Sequence, residues 1–321
     1  MKRRDFLVSA SAITMSILAA LPAMPALADW NPSRPINAIV PYGAGGGTDT
    51  IARALAASIG DALPVPVVIV NKPGASGIVG ATAASNANAD GGTVLITSAG
   101  SFVLNSIMRD LNVDPFENFS TIAQVGDLNT SVMVPSNSPF QTLDDLIKAA
   151  KANPGTLRWS HTGRGSFHHV AGQGFLNATG LEAVDVPFSG GSATRAAVLG
   201  GQVDFGMIGI QQAAGFKDEL RPLALVAKDR DTFATDVPTF EELGISVPLV
   251  SSPIVVFASA GTPDDVLDTL QSAVKAAVSS ADFAELMAKG NNAPAYLSGA
   301  EATDKLIRMR DEARAIIDNL N

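Results

Sequence analysis

Apolar positions along the chain follow two alternating patterns, short continuous runs and longer stripes with helical spacing. Ile36–Tyr42 predicts a first strand, and the segment after it places isoleucine and leucine four residues apart on one helical face. The nearly unbroken apolar run Val65–Asn71 predicts a second strand that is buried on both faces. Thr93–Ser101 predicts a third. This alternation of strands and helices predicts an α/β chain whose parallel sheets are covered by helices.

Each of these three strands ends in a loop of glycine and serine. The loops read GAGGGTD from Gly43, PGASG from Pro73 and TSAGS from Thr97. In open α/β sheets, ligands bind at the carboxyl ends of the strands, and a helix that follows such a loop can hold an anion on its free N–H groups. Thr48 or Asp49 is the predicted N-cap of the first helix.

Three interpretations of the GAGGGTD loop remain open on its residues alone: a nucleotide site, a carboxylate site or a tight turn. The dinucleotide fingerprint is disfavoured because Thr48 stands where its third glycine belongs and Asn71-Lys72 stands where its acidic residue belongs. A P-loop is disfavoured because no Gly-Lys-Ser/Thr closes the segment. The prediction is therefore a bound carboxylate and no cofactor. For Asp49, capping is favoured over ligand contact because its charge would oppose an anion.

The chain is predicted to cross twice between two lobes. A strand ends at Pro135, a polar stretch follows, and Thr142 begins a helix that stops at Asn153-Pro154-Gly155. A return crossing is predicted near Pro248–Pro253. The predicted first lobe is discontinuous, 29–130 plus 250–321, and the predicted second lobe is 131–249.

The second lobe repeats the strand, glycine loop and helix pattern. Gly163–Ser166 and Ser189–Ser192 are its glycine loops, and Arg164 in the first of them is free to pair with a second carboxylate of the ligand in two-point geometry. For Arg195, a solvated surface position is the favoured interpretation.

The three histidines of the chain lie within nine residues, so a metal site has to be considered. His168 and His169 are adjacent and would point about 100° apart on a helix, so they cannot chelate as an i, i+4 pair would. No Asp or Glu occurs between Ala152 and Leu181. We therefore predict no metal. The sequence GRGSF around Ser166 is not a nucleophile elbow, and no catalytic residue is predicted.

The N-terminal 28 residues have the layout of an export signal. A basic start is followed by a short apolar stretch and by Ala26-Leu27-Ala28, which predicts cleavage near Ala28-Asp29 and a periplasmic location. Arg3 and Arg4 open a segment, RRDFL, that favours twin-arginine export over the general secretory route. No further apolar run is long enough to span a bilayer, so the chain is not predicted to be membrane-inserted.

Composition excludes several further classes of site and partner. The chain has 22 basic and 31 acidic residues, a net charge of −9, and no basic cluster, so nucleic acid is not an expected partner. It has no cysteine, which excludes disulfides, thiolate metal sites, a cysteine nucleophile and a lipid anchor on cysteine.

Six segments, in this order, resemble the substrate-binding proteins of tripartite tricarboxylate transporters, the Bug family. They are PYGAGGGTDTIARAL, VVIVNKPGASGIVGA, KANPGTLRWSHTGRGSFHHVAGQGF, VDVPFSGGSATRAAVLGGQVDFG, DVPTFEELG and ASAGTPDDVLDTL. The resemblance covers essentially the whole chain after the export signal.

The resemblance implies an α/β fold of the periplasmic-binding-protein kind (type II-like). In this fold each lobe is a mostly parallel sheet flanked by helices, and two crossover strands form the hinge. It implies a monomeric receptor, not an enzyme, that closes on a small di- or tricarboxylate and delivers it to membrane permease subunits. A bilobal sensor protein, or a periplasmic enzyme on the same fold, is the alternative interpretation.

The family's ligand-contact positions carry over to both lobes, with departures in the second. Phe188-Ser189-Gly190 replaces an aromatic-Lys-Gly pattern, and Ile208 stands where an Asp is usual. These changes predict a less polar second half of the cleft. Together with Arg164, which is included for its charge and position in the loop, these positions complete the predicted ligand-binding residues. They are Tyr42, Ala44, Gly45, Gly46, Asp49, Ser76, Gly77, Ser98, Thr162, Gly163, Arg164, Ser166, His169, Phe188, Ser189 and Gly190.

Overall fold

The computed structural model describes residues 30–60, 62–249 and 251–318. The predicted export signal and its cleavage site lie outside the described residues. Within the described part of the chain, no helix combines the length and the apolar character needed to cross a membrane.

Eleven described strands form two sheets. The first sheet has six strands in the order β11-β4-β10-β3-β1-β2, and the second has five in the order β7-β6-β8-β5-β9. The strands are β1 (Ile36–Val40), β2 (Val67–Asn71), β3 (Thr93–Ser98), β4 (Phe119–Leu128), β5 (Thr130–Pro135), β6 (Arg158–His161), β7 (Val184–Pro187), β8 (Phe205–Gly209), β9 (Leu220–Val226), β10 (Ser252–Ser259) and β11 (Pro294–Ser298).

Helices connect these strands, and two short 3-10 turns, Ala75–Gly77 and Ile210–Ala213, follow strand ends. The α-helices are α1 (Gly47–Ser58), α2 (Ile78–Ser85), α3 (Ala99–Met108), α4 (Leu143–Ala152), α5 (Phe167–Thr179), α6 (Gly191–Leu199), α7 (Asp264–Val278), α8 (Ala281–Lys289) and α9 (Gly299–Asp318).

Both sheets are mixed in strand direction. Strand β1 pairs in parallel with β2 and β3, and β6 pairs in parallel with β7 and β8, as expected for strand–helix–strand units. Strands β10, β4 and β11 pair antiparallel in the first sheet, and β5 pairs antiparallel with β8 and β9 in the second. The predicted α/β class is confirmed. Both sheets are mixed because β10 and β11 in the first sheet and β5 in the second run opposite to the other strands.

The first crossing between the sheets is almost uninterrupted strand. Strand β4 leaves the first sheet at Leu128, and β5 enters the second at Thr130. The return from β9 to β10 runs through turns and loop over its described part, residues 227–249 and 251. The exact predicted lobe boundaries stay a prediction.

The central strands of each sheet are buried on both faces. Along β1 and β10, alternate residues enter different apolar clusters: Ala38 and Val256 pack on one side of the first sheet, and Ile39 and Phe257 on the other. The continuous apolar runs of β1 and β10 follow from this arrangement, because helices cover both faces. The prediction that the second strand is buried on both faces is wrong: β2 lies at the edge of the first sheet, and Val68 is 43% exposed.

Local signals placed several boundaries correctly. Thr142 caps α4 by accepting a hydrogen bond from the Asp145 N–H, and the Asp145 carboxylate accepts one from the Thr142 N–H, which completes a capping box. The predicted third strand is shorter than expected. It ends at Ser98, and α3 begins at Ala99, so the serine and glycine residues after Ser98 form the first turn of a helix.

Candidate functional site

The GAGGGTD loop leaves the first turn of α1 without a side-chain cap. Gly46 is the N-cap residue and has extended backbone angles, so the prediction of Thr48 or Asp49 as N-cap is wrong. Asp49 lies in the first turn of α1 and reaches back to accept a hydrogen bond from the Gly45 N–H at 2.8 Å. The N–H groups at the start of α1 therefore have no side-chain acceptor, which is the arrangement that suits an anion.

The Asp49 carboxylate is bonded inside its own lobe. It is 1% exposed and accepts from Arg53 Nε at 2.9 Å and from Asn71 Nδ2 at 2.8 Å, in addition to Gly45. Burial raises the pKa of this carboxyl, but the hydrogen bonds from Arg53, Gly45 and Asn71 outweigh burial, and the net pKa is lowered. The ionised Asp49 carboxylate thus fixes the conformation of the loop. Its predicted contact with ligand stays a prediction.

Helix α6 of the second lobe starts in the same way and faces α1. Its N-cap is Gly190, with φ 139°, and it too has no side-chain cap. A β-carbon placed on Gly46 would lie 3.6 Å from the Gly191 nitrogen, so the two glycine loops approach each other closely. Two uncapped helix N-termini, one from each lobe, meet across the cleft.

A small cavity lies at this meeting point; we call it the inner cavity. Its volume is about 20 Å³, which is room for about one water molecule. Apart from Gly191, which is half-buried, the lining residues are buried. They are Tyr42, Gly46, Gly47, Thr48, Ser98, Ser101, Leu128, Thr162, Phe167, His168, Gly190, Gly191, Gly209, Gln211 and Gln212.

The wall of the inner cavity carries several polar groups but no formal charge. Its described lining contains no Lys, Arg, Asp or Glu. Desolvation, reinforced by the charge of His161, lowers the pKa of His168 to about 3, so this imidazole is neutral near pH 7. Burial raises the pKa of Tyr42, which keeps its hydroxyl protonated. An anion here would be held by backbone dipoles and neutral donors.

A second cavity, the outer pocket, adjoins the inner one and shares Tyr42 and Thr162 with it. Its volume is about 330 Å³. Two arginines line it, Arg109 from the end of α3 and Arg164 from the loop before α5. The remaining lining residues are Pro41, Gly74, Ala75, Ser76, Gly77, Gly163, Pro187, Phe188 and Ser189.

The β6–α5 loop, residues 162–166, joins the two lobes through its backbone. The Arg164 carbonyl accepts from Ser76 Oγ at 2.7 Å and from Arg109 Nη2 at 2.8 Å. The Gly165 carbonyl accepts from Asn105 Nδ2 at 3.1 Å. These hydrogen bonds hold the cleft closed in the arrangement described here.

Asp185 organises this loop from the neighbouring strand. Because β6 and β7 pair in parallel, Asp185 lies opposite Trp159, two residues before His161 on the same face of the sheet. Its carboxylate accepts from His161 Nε2 and pairs with Arg164 Nη2 at 3.0 Å. His169 Nε2 is 3.9 Å from the same carboxylate. The Arg164 guanidinium, predicted to face the ligand, therefore already has an acidic partner.

His161, His169 and Asp185 bring three possible metal ligands within 4.8 Å of one another. The sequence argument against a metal had considered only acids close in sequence, and it missed Asp185. The hydrogen bonds nevertheless oppose a metal ion: His161 Nδ1 accepts from Gly163 N–H, and His169 Nδ1 from Gly165 N–H. In a neutral imidazole the other nitrogen then carries the proton, so neither Nε2 has a lone pair to offer a metal.

The predicted ligand-binding residues divide into three groups. Those lining the inner cavity are Tyr42, Gly46, Ser98, Thr162 and Gly190. Those lining only the outer pocket are Ser76, Gly77, Gly163, Arg164, Phe188 and Ser189. Those lining neither are Ala44, Gly45, Asp49, Ser166 and His169.

Sequence reasoning missed several residues of these walls, among them His168, Arg109, Gln211 and Gln212. The two glutamines directly follow β8, at the carboxyl end of a strand, and that position was the available signal. Arg109 had no local signal, because it reaches the cleft only through the packing of α3.

Comparison with known proteins places the chain among transport receptors. Residues 51–321 match the family described as "Tripartite tricarboxylate transporter family receptor". A protein of Cupriavidus necator, named for its place in the gbd 5' region, is 30% identical over 324 residues, covering 100% of this chain and 98% of that protein.

Two solved structures have the same overall fold. The periplasmic binding protein BugD has a TM-score of 0.84 at 26% identity, covering 90% of this chain and 98% of that one. A protein of R. palustris, Rpa4515, solved with adipate, has a TM-score of 0.84 at 25% identity, covering 89% of this chain and 97% of that one.

Proposed function

Since the chain belongs to the tripartite tricarboxylate transporter receptor family, whose members are non-enzymatic periplasmic binding proteins, we propose that it captures a small carboxylate between its lobes. It then delivers this ligand to the membrane permease subunits of a tripartite transporter. The protein acts as a monomer in the periplasm after residues 1–28 are removed as an export signal. Its lobes comprise residues 29–130 plus 250–321 and residues 131–249.

One observation carries this proposal: the uncapped N-termini of α1 and α6 face each other from opposite lobes. A carboxylate between them would accept hydrogen bonds from both helices and would experience the positive ends of both helix dipoles. Because these contacts come from two lobes, binding would favour the closed form over the open one.

The ligand has room for a second acidic group in the outer pocket. The R. palustris relative with adipate is solved with a dicarboxylate, which supports the same class for this chain. The guanidinium of Arg109 lies in that pocket and has no acidic partner among the described residues, whereas Arg164 is paired with Asp185. A distal carboxylate would therefore bind beside Arg109, with Arg164 and Ser76 close by.

The proposal is tested by calorimetry and thermal shift with mono-, di- and tricarboxylates on the chain without residues 1–28. A bound ligand raises the melting temperature by mass action. We expect shifts with di- or tricarboxylates and none with sugars or cationic amines; the reverse result would exclude a carboxylate receptor.

A matched pair of glycine variants locates the site. In Gly46→Ala the new methyl group would enter the gap between the two loops, 3.3 Å from the Gly43 carbonyl and 3.6 Å from the Gly191 nitrogen. Gly60 has open space around it and serves as the control. We expect Gly46→Ala to weaken carboxylate binding about tenfold or more and Gly60→Ala to leave it unchanged. Equal affinities in the two variants would place the ligand elsewhere.

A further inference from the structure

The imidazole of His168 is a polar group in the inner cavity for which the proposed function has so far given no role. His168 is the second residue of α5 and is 4% exposed. Its Nδ1 lies 2.9 Å from Thr162 Oγ1, while its Nε2 has no hydrogen-bond partner among the described residues. A buried polar atom without a partner costs folding free energy, so a bound group is expected to satisfy it.

A second unpartnered group lines the same cavity from the other lobe. The Tyr42 hydroxyl is buried near Thr97, Ser98 and Ser101. It nevertheless makes no hydrogen bond with any described residue. His168 and Tyr42 therefore offer a neutral hydrogen-bonding group on each side of the space next to the proposed carboxylate.

The chemistry of this space limits what can occupy it. A second carboxylate here would be a buried charge without a cation in the described wall, which is strongly unfavourable. A methylene group would leave His168 Nε2 unsatisfied. A hydroxyl group can either donate or accept, so it matches Nε2 whichever ring nitrogen carries the proton.

We propose that His168 hydrogen-bonds a hydroxyl group adjacent to the bound carboxylate, so that the inner cavity selects 2-hydroxycarboxylates over their deoxy analogues. This inference rests on the proposed function, because it needs a carboxylate between α1 and α6. It does not depend on the number of carboxylates, since any further acidic group would extend into the outer pocket.

The test uses three pairs of ligands that differ by one hydroxyl: lactate and propionate, malate and succinate, citrate and tricarballylate. Affinities are measured by calorimetry on the chain without residues 1–28. We expect the hydroxylated member of each pair that binds to do so about tenfold more tightly, which is the net effect of one additional hydrogen bond between neutral groups. Equal affinities within every binding pair would overturn the inference and leave the carboxylate receptor standing. Failure of all six ligands would overturn the inference, and the wider carboxylate screen would then decide on the proposed function.

Two variants assign the preference to His168. Asparagine at this position keeps a group near Nδ1 for Thr162 but nothing near Nε2, whereas glutamine can extend its amide to the Nε2 position. We expect His168→Asn to lose the hydroxyl preference by weakening only the hydroxylated ligands, and His168→Gln to retain part of it. If His168→Asn weakens both members of a pair equally, His168 contacts the carboxylate itself and the inference is wrong. Unchanged preference in a folded His168→Asn protein would also overturn it.

Discussion

At the scale of single residues, Asp49 connects the sequence of the glycine loop to its shape. Its carboxylate is buried and accepts three hydrogen bonds, from Gly45, Arg53 and Asn71. These bonds tie the loop to α1 and to the end of β2. The loop can then present its free N–H groups to the cleft without help from any ligand.

Replacing Asp49 by asparagine tests this role. The amide offers one acceptor oxygen and places an NH2 group against donors, so we expect the free energy of unfolding to fall by about 1–3 kcal/mol at pH 7. Because the folded pKa of Asp49 is lowered, its contribution is complete above the unfolded value of about 3.9 and is lost as pH falls through the folded value. Urea unfolding at several pH values should therefore show a constant difference in the free energy of unfolding between wild type and Asp49→Asn down to about pH 4. Below that pH the two values should converge. Asp229→Asn, at an exposed site, is the control. Equal losses of unfolding free energy in the two variants would show that the Asp49 carboxylate does not stabilise the loop.

At the scale of elements, the unit formed by β6, its loop and α5 contains every histidine of the chain. Desolvation is the main cause that lowers all three pKa values, to about 4 for His169 and about 3 for His168. The neutral rings of His161 and His169 accept the loop N–H groups of Gly163 and Gly165. Protonation would remove these acceptors from the loop that joins the lobes.

The stability of the protein should therefore depend on pH between about 6.5 and 3. Above pH 6.5 the histidines are neutral in both states; below it the unfolded chain takes up protons that the folded protein excludes until its own lowered pKa is reached. We expect the free energy of unfolding to fall as pH falls through this window. His169→Asn keeps an acceptor for Gly165 but does not titrate, so its urea-unfolding midpoint should change less with pH. An identical pH slope in wild type and variant would show that His169 is not a source of the effect.

At the scale of the whole molecule, the two glycine loops lie too close together here to hold the proposed carboxylate between them, so we expect them to lie further apart in the ligand-bound closed form. The inner cavity of about 20 Å³ holds about one water, and hydrogen bonds from Ser76, Asn105 and Arg109 to the β6–α5 loop keep the lobes together. We expect ligand entry to require the lobes to separate about the β4–β5 crossing and the return segment.

A cross-link between the two glycine loops tests the need for opening. A β-carbon on Gly43 would lie 3.5 Å from Ser192 Oγ, and the chain has no natural cysteine to mispair. In the double variant Gly43→Cys, Ser192→Cys, we expect the oxidised protein to bind no carboxylate and the reduced protein to bind it. Calorimetry of the two forms measures this, and small-angle scattering reports whether the reduced form is more open. Full affinity in the oxidised form would show that closure does not block entry.

The sequence by itself determined the elements and the kind of loop that follows each strand. The apolar runs of β1 and β2, the capping box at Thr142 and the glycine loops are local features, because periodicity, capping and backbone freedom depend on neighbouring residues. The family's order of motifs was sufficient to indicate the bilobal fold and a receptor rather than an enzyme. Part of the candidate cleft followed as well, including Tyr42, Gly46 and Thr162.

Only the tertiary structure decided which of these groups meet. Asp185 is separated from His161 by 24 residues, and their contact depends on the parallel pairing of β6 with β7. The opposition of α1 to α6 and the entry of Arg109 into the outer pocket likewise depend on sheet order and helix packing. The orientation of His168 toward the inner cavity depends on the contact of α5 with the first lobe, which no local pattern encodes. Local free energies select helix, strand and turn, whereas the burial of long-range contacts selects which of their ends face one another.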